Sequence, residues 1–214
     1  SYVVSPASRN SPATFLETLV NNDIAALNDL KNSISPEAIE QAVTLLQEAE
    51  TIYVLGQLRS FSVAYNIRYL LLYLRQNVCL LDGSGGLATE EAELMSEKSL
   101  LVAVSFRYYA REVVDIVEGT ARKNIPILAI TDSQLSPLNK HATCSLVVPG
   151  AGHKFSYSLA ASMCLAQSLI ISMASRLQIE GSEEKLNPQD LLGTNDPKIL
   201  QRISSSKPYH FEQT

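Results

Sequence analysis

Two short segments of this chain combine hydroxyl, guanidinium and helix-opening residues in a pattern suited to binding an anion. One is Gly56-Gln57-Leu58-Arg59-Ser60, which closes the apolar run Thr51-Ile52-Tyr53-Val54-Leu55. The other is Ser105-Phe106-Arg107-Tyr108-Tyr109-Ala110-Arg111-Glu112, which follows Leu100 to Val104. A helix N-terminus presents backbone N–H groups that its own turns leave unpaired, and its dipole favours negative charge. Guanidinium groups add charge-assisted donors whose fork matches phosphate or carboxylate. Loops leaving adjacent parallel strands would point at one ligand. These residue types read as a site for a small phosphorylated molecule, a sugar phosphate.

Each candidate also has an ordinary explanation. Gly56 permits a tight turn, and Ser105 is able to cap the following helix. Arg107 and Arg111 also suit ion pairs with Glu112 or Asp115, and Arg111 lies four residues before Asp115. Arg59 is open to the same surface-charge reading, and Ala110 stands where the second loop enters its helix. His153 and Lys154 follow Pro149-Gly150-Ala151-Gly152 and open the last helix, as ligand contacts or as plain loop residues. Ser156 and Ser158 either reach a ligand or cap that helix. The run Glu90, Glu91 and Glu93 hides a general base or forms a solvated helix face. Neither an HExxH nor a paired-cysteine pattern is present, so no metal or other cofactor is expected.

The elements that must position these residues alternate along the chain. Strand patterns fit Thr51–Leu55, Val78–Leu81, Leu100–Ser105, Ile127–Thr131 and Cys144–Val148. Helix patterns fit Arg59–Arg75, Thr89–Glu97, Tyr109–Lys123 and Phe155–Gln178. Apolar strands without internal alternation, separated by helices, indicate a parallel sheet covered on both faces. The expectation is a three-layer α/β/α fold with a five-stranded parallel sheet of flavodoxin-like type. In such sheets the ligand lies beyond the carboxyl ends of the strands, near the topological switch point.

Two helices precede the first strand. Leu16, Val20, Ile24, Leu27, Leu30 and Ile34 recur at three- and four-residue steps, giving an amphipathic helix over Thr14–Ile34. Ser35-Pro36-Glu37 then supplies a cap, a first-turn proline and a first-turn acid for the next helix.

The net charge is -5 over 214 residues, which argues against a nucleic-acid surface on this segment. Cys79, Cys144 and Cys164 form no close pair and are expected as buried free thiols in a reducing cytoplasm. Residues 1 to 12 show no secretory pattern. Leu159 to Leu177 is the most apolar stretch, but Ser162, Gln167, Ser168, Ser172, Ser175 and Arg176 interrupt it. It is expected as a core or interface helix and not as a membrane span.

The two loops, with Ser35-Pro36-Glu37-Ala38-Ile39, Ala49-Glu50-Thr51-Ile52, Ile127 to Asp132 and Ser136-Pro137-Leu138, resemble the sugar isomerase (SIS) domain. The resemblance is to the form found in RpiR-type bacterial transcription regulators, and it covers about residues 15 to 178. It implies an arm over 1–13, connecting helices over 14–50, an SIS domain over 51–178 and a tail over 179–214. By this resemblance Gly56, Arg59, Ser60, Ser105, Arg107, Ala110, Arg111 and His153 are the candidate ligand contacts. The chain departs from the family pattern in four places. Leu58 and Tyr108 stand where glycines are usual, and Arg107 and Ala110 replace hydroxyl residues.

The resemblance implies an effector domain that binds a sugar phosphate or sugar acid. It also implies DNA contact only through an N-terminal helix-turn-helix segment that this chain lacks, and assembly into a homodimer or tetramer. The helices at Thr14–Ile34 and Phe155–Leu177 are the expected subunit contacts. An aldose–ketose phosphate isomerase is the alternative, with His153 or Glu91 as base. A scaffold that has lost its ligand is a third reading.

Overall fold

A computed structural model describes residues 11–74, 76–150 and 158–181, the last stretch with side chains to Leu177. Helix α1 spans Pro12–Ser33, where Ser11 caps the first turn by accepting a hydrogen bond from the Thr14 amide at 3.2 Å. Helix α2 spans Pro36–Glu48 and begins as its sequence demands. The Ser35 hydroxyl accepts from the Ala38 amide at 3.2 Å, and Pro36 occupies the first turn. The carboxyl of Glu37 is held below its ordinary pKa by a backbone amide and by Ser35, the expected behaviour of an acid at a helix N-terminus.

Five strands follow: β1 (Thr51–Gly56), β2 (Val78–Leu81), β3 (Ser99–Val104), β4 (Ile127–Thr131) and β5 (Cys144–Val147). They form one parallel sheet in the order β2-β1-β3-β4-β5. The intervening helices are α3 (Ser60–Tyr73), α4 (Ala88–Glu93) and α5 (Arg111–Arg122), and α6 (Ala160–Gly181) follows the last strand. Every residue of β3 and β4 is buried, which is why both strands are written as unbroken apolar runs. The five-stranded, three-layer expectation matches this architecture.

The chain moves outward from β1 to β2 through α3, and in the opposite direction from β3 to β4 through α5. Right-handed crossovers therefore set α3 and α5 on opposite faces of the sheet. On the α5 face, Val113, Ile116 and Val117 pack with Leu55, Leu101, Ala103, Ile127 and Ala129. On the other face, α2 lies against β5, and the Cys144 thiol meets the Ala38 carbonyl oxygen at 3.5 Å.

Several expectations need correction. Only Cys144 is buried, whereas Cys79 and Cys164 are exposed. Cys79 sits on the edge strand β2, whose burial alternates, so one of its faces is open to water. Helix α4 is shorter than the Thr89–Glu97 pattern, and a 3₁₀ turn over Ser84–Gly86 precedes it. The apolar face of α1 forms, but Phe15, Leu16, Val20 and Ile24 are exposed, and only Ala26 and Leu30 are buried.

The chain divides into two compact units, Ser1–Ile170 and Ile171–Thr214, and the sheet belongs to the first. Within α6, Ala160–Leu177 is long and apolar enough to cross a membrane by length and composition alone. Its buried residues include Ala161, Leu165, Leu169 and Met173, while Cys164, Gln167 and Ser168 are exposed. Such one-sided burial is the pattern of a core helix.

Gly56 shows how closely β1 and α3 approach. A Cβ built there would lie 2.7 Å from Ala64 Cβ and 2.9 Å from the Ser60 carbonyl oxygen. We expect Gly56→Ala to lower the unfolding free energy by about 1–3 kcal/mol, the usual cost of overpacking. Urea denaturation measures this, and an unchanged midpoint would show that α3 shifts freely.

Candidate functional site

The site begins with strand pairing. Gly56, the last residue of β1, is in register with Val104, the last residue of β3. The loops that follow therefore leave the sheet side by side, where the strand order reverses and α/β sheets open a crevice. A hydrogen bond ties them: the Gln57 side-chain amide donates to the Glu112 carboxylate, bridging the first loop and the first turn of α5. A third loop lies alongside, since a Cβ on Gly83 would come within 3.8 Å of Gln57 Nε2.

Both loops carry a non-glycine residue in the left-handed region, Leu58 at φ 55° and Tyr108 at φ 71°. These are the two positions at which the family pattern has glycine. The chain adopts these turns without glycine, at a backbone cost of roughly 1–2 kcal/mol each. Leu58 and Tyr108 project outward, 77% and 75% exposed.

Asp132, directly after β4, fastens the second loop. Its Oδ2 accepts from the Arg107 amide at 2.8 Å and its Oδ1 from the Tyr109 hydroxyl at 2.9 Å. Burial is the main cause that raises the Tyr109 phenol above its ordinary pKa, and the bond to Asp132 adds to it. Because Tyr109 is turned toward Asp132, α5 starts at Arg111 and not at Tyr109, with Ala110 as an extended N-cap. The Ser105 hydroxyl is therefore not the cap of α5. Ser105 is buried, and its amide donates to the Ile130 carbonyl oxygen at 3.1 Å.

The eight candidates fall into distinct groups. Ser60 is buried in the first turn of α3, with its amide on the Gln57 carbonyl oxygen at 3.1 Å. Arg59, just before it, is exposed. Gly56 is required by packing against α3, as described above. The Arg107 guanidinium lies over the Tyr108 ring, 5.7 Å from its centroid. Arg111 pairs with Asp115 at 3.4 Å along the exposed surface of α5, a contact worth about 0.3–0.5 kcal/mol. His153, with Lys154 and Ser156, lies outside the described residues. Ser158 caps α6, accepting from the Ala160 amide at 3.2 Å. Glu90, Glu91 and Glu93 are exposed on α4, and Glu93 pairs with Lys123.

The loop amides are less open than the sequence suggested. Arg107 N–H is taken by Asp132, and the Ser60 and Phe61 amides close turns on Gln57 and Leu58. The first backbone bond of α5 runs from the Val114 amide to the Ala110 carbonyl oxygen at 3.3 Å. The amides of Arg111, Glu112 and Val113 are therefore those this helix leaves for an outside acceptor.

Sequence reasoning missed the roles of Gln57, Tyr109, Glu112 and Asp132. One signal was available. Asp132 follows its strand end just as Gln57 and Ser105 follow theirs.

The family model described as the SIS domain matches residues 45–172, more than half of the chain. Among solved structures, the sugar isomerase domain of an RpiR transcription factor from Sphaerobacter thermophilus is 30% identical with TM-score 0.72. The match covers 75% of this chain and 89% of that one. The HTH-type transcriptional regulator HexR of Pseudomonas aeruginosa is 26% identical over 144 residues, 67% of this chain and 50% of the relative. The Vibrio vulnificus NanR protein, solved with ManNAc-6P, shares the fold at 19% identity and TM-score 0.67, covering 83% of this chain and 74% of that one. The chain spans about half the length of the curated relatives it matches first.

Two outcomes follow from the loop geometry. Leu58→Gly should raise the unfolding free energy by about 0.5–1 kcal/mol, relief of left-handed strain less the added chain entropy. Tyr108→Gly should change it little, because it also forfeits the Arg107–ring contact of roughly 0.5–1 kcal/mol. Destabilisation by Leu58→Gly would contradict the strain argument. For Tyr109, a folded pKa raised above about 10 means stability present below that pH and lost as pH climbs through the folded value. Tyr109→Phe should flatten that alkaline loss, as followed by thermal melts across the range, and an identical pH profile would contradict it.

Proposed function

This chain belongs to the SIS-domain family in the form carried by RpiR-type regulators, and on that premise we propose that it senses an anionic carbohydrate for a transcription regulator. The observation that carries the reading is that both loops leave the sheet side by side at its switch point. It rests on the Gly56–Val104 register and on the hydrogen bond between Gln57 and Glu112. In this reading the ligand's phosphate or carboxylate takes the open amides at the start of α5, with hydroxyl contacts from Ser60 and Ser105. Arg107, stacked over the exposed Tyr108 ring, supplies the charge-assisted donor that replaces the missing serine. Arg59 stands at the mouth of the first loop. His153 is proposed to close the sugar side.

The ligand class is a sugar phosphate or a sugar acid. Effector binding acts by preferring one of two subunit arrangements of a homodimer or tetramer, which requires different affinities for the two. DNA contact would come from a helix-turn-helix segment outside these 214 residues. Proteins of this kind work in the cytoplasm, where phosphorylated sugars accumulate.

Catalysis of aldose–ketose interconversion is the competing reading, since a solved neighbour of this fold is a hypothetical protein of Methanococcus jannaschii for which 3-hexulose-6-phosphate isomerase function is inferred. Both carboxylates at the crevice are already engaged, Glu112 by Gln57 and Asp132 by Arg107 and Tyr109. Glu91, the acid considered for the base, lies exposed on α4. Both facts favour sensing over proton transfer.

Thermal unfolding with a panel of hexose phosphates, N-acylhexosamine phosphates and sugar acids tests the proposal. A true effector at a hundred times its Kd should stabilise the fold by about 2.7 kcal/mol. Ser105→Ala and Arg107→Ala should each weaken it about tenfold or more. No stabilisation by any member of the panel would overturn the assignment, and steady turnover of a sugar phosphate would replace it with the isomerase.

A further inference from the structure

Asp132 offers the second loop a fixed point. It follows Thr131, the buried last residue of β4, and main-chain bonds hold that strand end from both sides. The Ser105 amide donates to the Ile130 carbonyl oxygen at 3.1 Å, and the Val148 amide donates to the Thr131 carbonyl oxygen at 2.7 Å. The loop itself is the opposite case. Tyr108 takes left-handed geometry with its side chain largely in solvent, so neither backbone preference nor burial holds it there.

The two oxygens of the Asp132 carboxylate bracket this strained residue. Oδ2 takes the Arg107 amide, one position before Tyr108, and Oδ1 takes the Tyr109 hydroxyl, one position after it. The buried hydroxyls of Ser136 and Thr131 face the same phenol. Bonds to an ionised acceptor are about twice as strong as those between neutral partners. Once Tyr109 is drawn inward, Ala110 follows as an extended N-cap at φ -62° and ψ 131°, and α5 can start only at Arg111. The same clamp therefore sets the backbone of Arg107 and the place where the open amides of Arg111, Glu112 and Val113 begin.

We propose that Asp132 is a positioning residue for anion binding, which holds Arg107 and the first amides of α5 in place by shape and not by charge. The inference rests on the sensing function proposed above and adds the residue that tunes it. As a charge, Asp132 repels an incoming anion. Only as a clamp does it favour one. Both of its donors, a backbone amide and a phenol, are neutral, so the clamp needs two well-placed polar atoms and no net charge. Asparagine supplies them: its carbonyl oxygen accepts from the Arg107 amide and its amide group donates to the Tyr109 oxygen. Alanine supplies neither.

Titration calorimetry of the full chain with hexose 6-phosphates, N-acylhexosamine 6-phosphates and sugar acids tests this. Asp132→Ala should weaken binding about tenfold or more, and Asp132→Asn should recover most of that loss. Amide exchange followed by NMR without ligand gives a second readout. The Arg107 amide should be protected in the wild type and exchange about tenfold faster or more in Asp132→Ala, with the Ser105 and Val148 amides unchanged. Should the alanine variant misfold, Tyr109→Phe removes one of the two bonds and should weaken binding about threefold or more. A wild type that binds no member of the panel would remove the sensing function and this inference with it. Three results would overturn the inference alone: binding that Asp132→Ala leaves intact, an Asp132→Asn variant as weak as Asp132→Ala, or an unprotected Arg107 amide in the wild type.

Discussion

The site depends on one constraint, the in-register parallel pairing of β1 with β3. Because Gly56 lies opposite Val104, the chain leaves both strands at the same height and on either side of the point where the sheet reverses direction. Apolar burial enforces the register. Ile52, Val54 and Leu55 on one strand and all of β3 are withdrawn from water, and a one-residue slip would exchange the faces of every side chain. Gly56 is drawn against α3 with no room for a methyl group, so the helix that presents Ser60 is fixed to the same strand end. The Gln57–Glu112 bond then joins two segments already held within reach.

Both loops hold left-handed turns without glycine. Leu58 and Tyr108 accept left-handed geometry without glycine, and Asp132 secures the second loop through the Arg107 amide and the Tyr109 hydroxyl. The surrounding bonds thus over-determine a conformation that a short loop would not choose alone. A guanidinium resting on an exposed ring stands where the family has a short hydroxyl. Under the proposed reading, a ligand there would be met by a long, charged donor.

Much of the framework was legible because each layer writes a distinct pattern. The unbroken apolar runs of β3 and β4 announce a sheet covered on both faces, and Ser35-Pro36-Glu37 announces the start of α2. What escaped depends on residues far apart in the chain. Gln57 meets Glu112 across 55 positions, and Arg107 meets Asp132 across 25. Neither spacing has a periodicity to betray it. The sequence pattern starts α5 two residues early because Tyr109 serves Asp132 and not the helix. Composition alone puts Cys79 in the interior, because a strand's position at the sheet edge is a property of topology.

Amide-resolved NMR during titration with a hexose 6-phosphate or a sugar acid probes the central idea most directly. Resonances of residues 56–62 and of 106–113 should shift together, along one binding curve, for at least one ligand of this class. Shifts confined to one loop, or separate curves for the two, would mean that the crevice at the ends of β1 and β3 does not act as a single anion site.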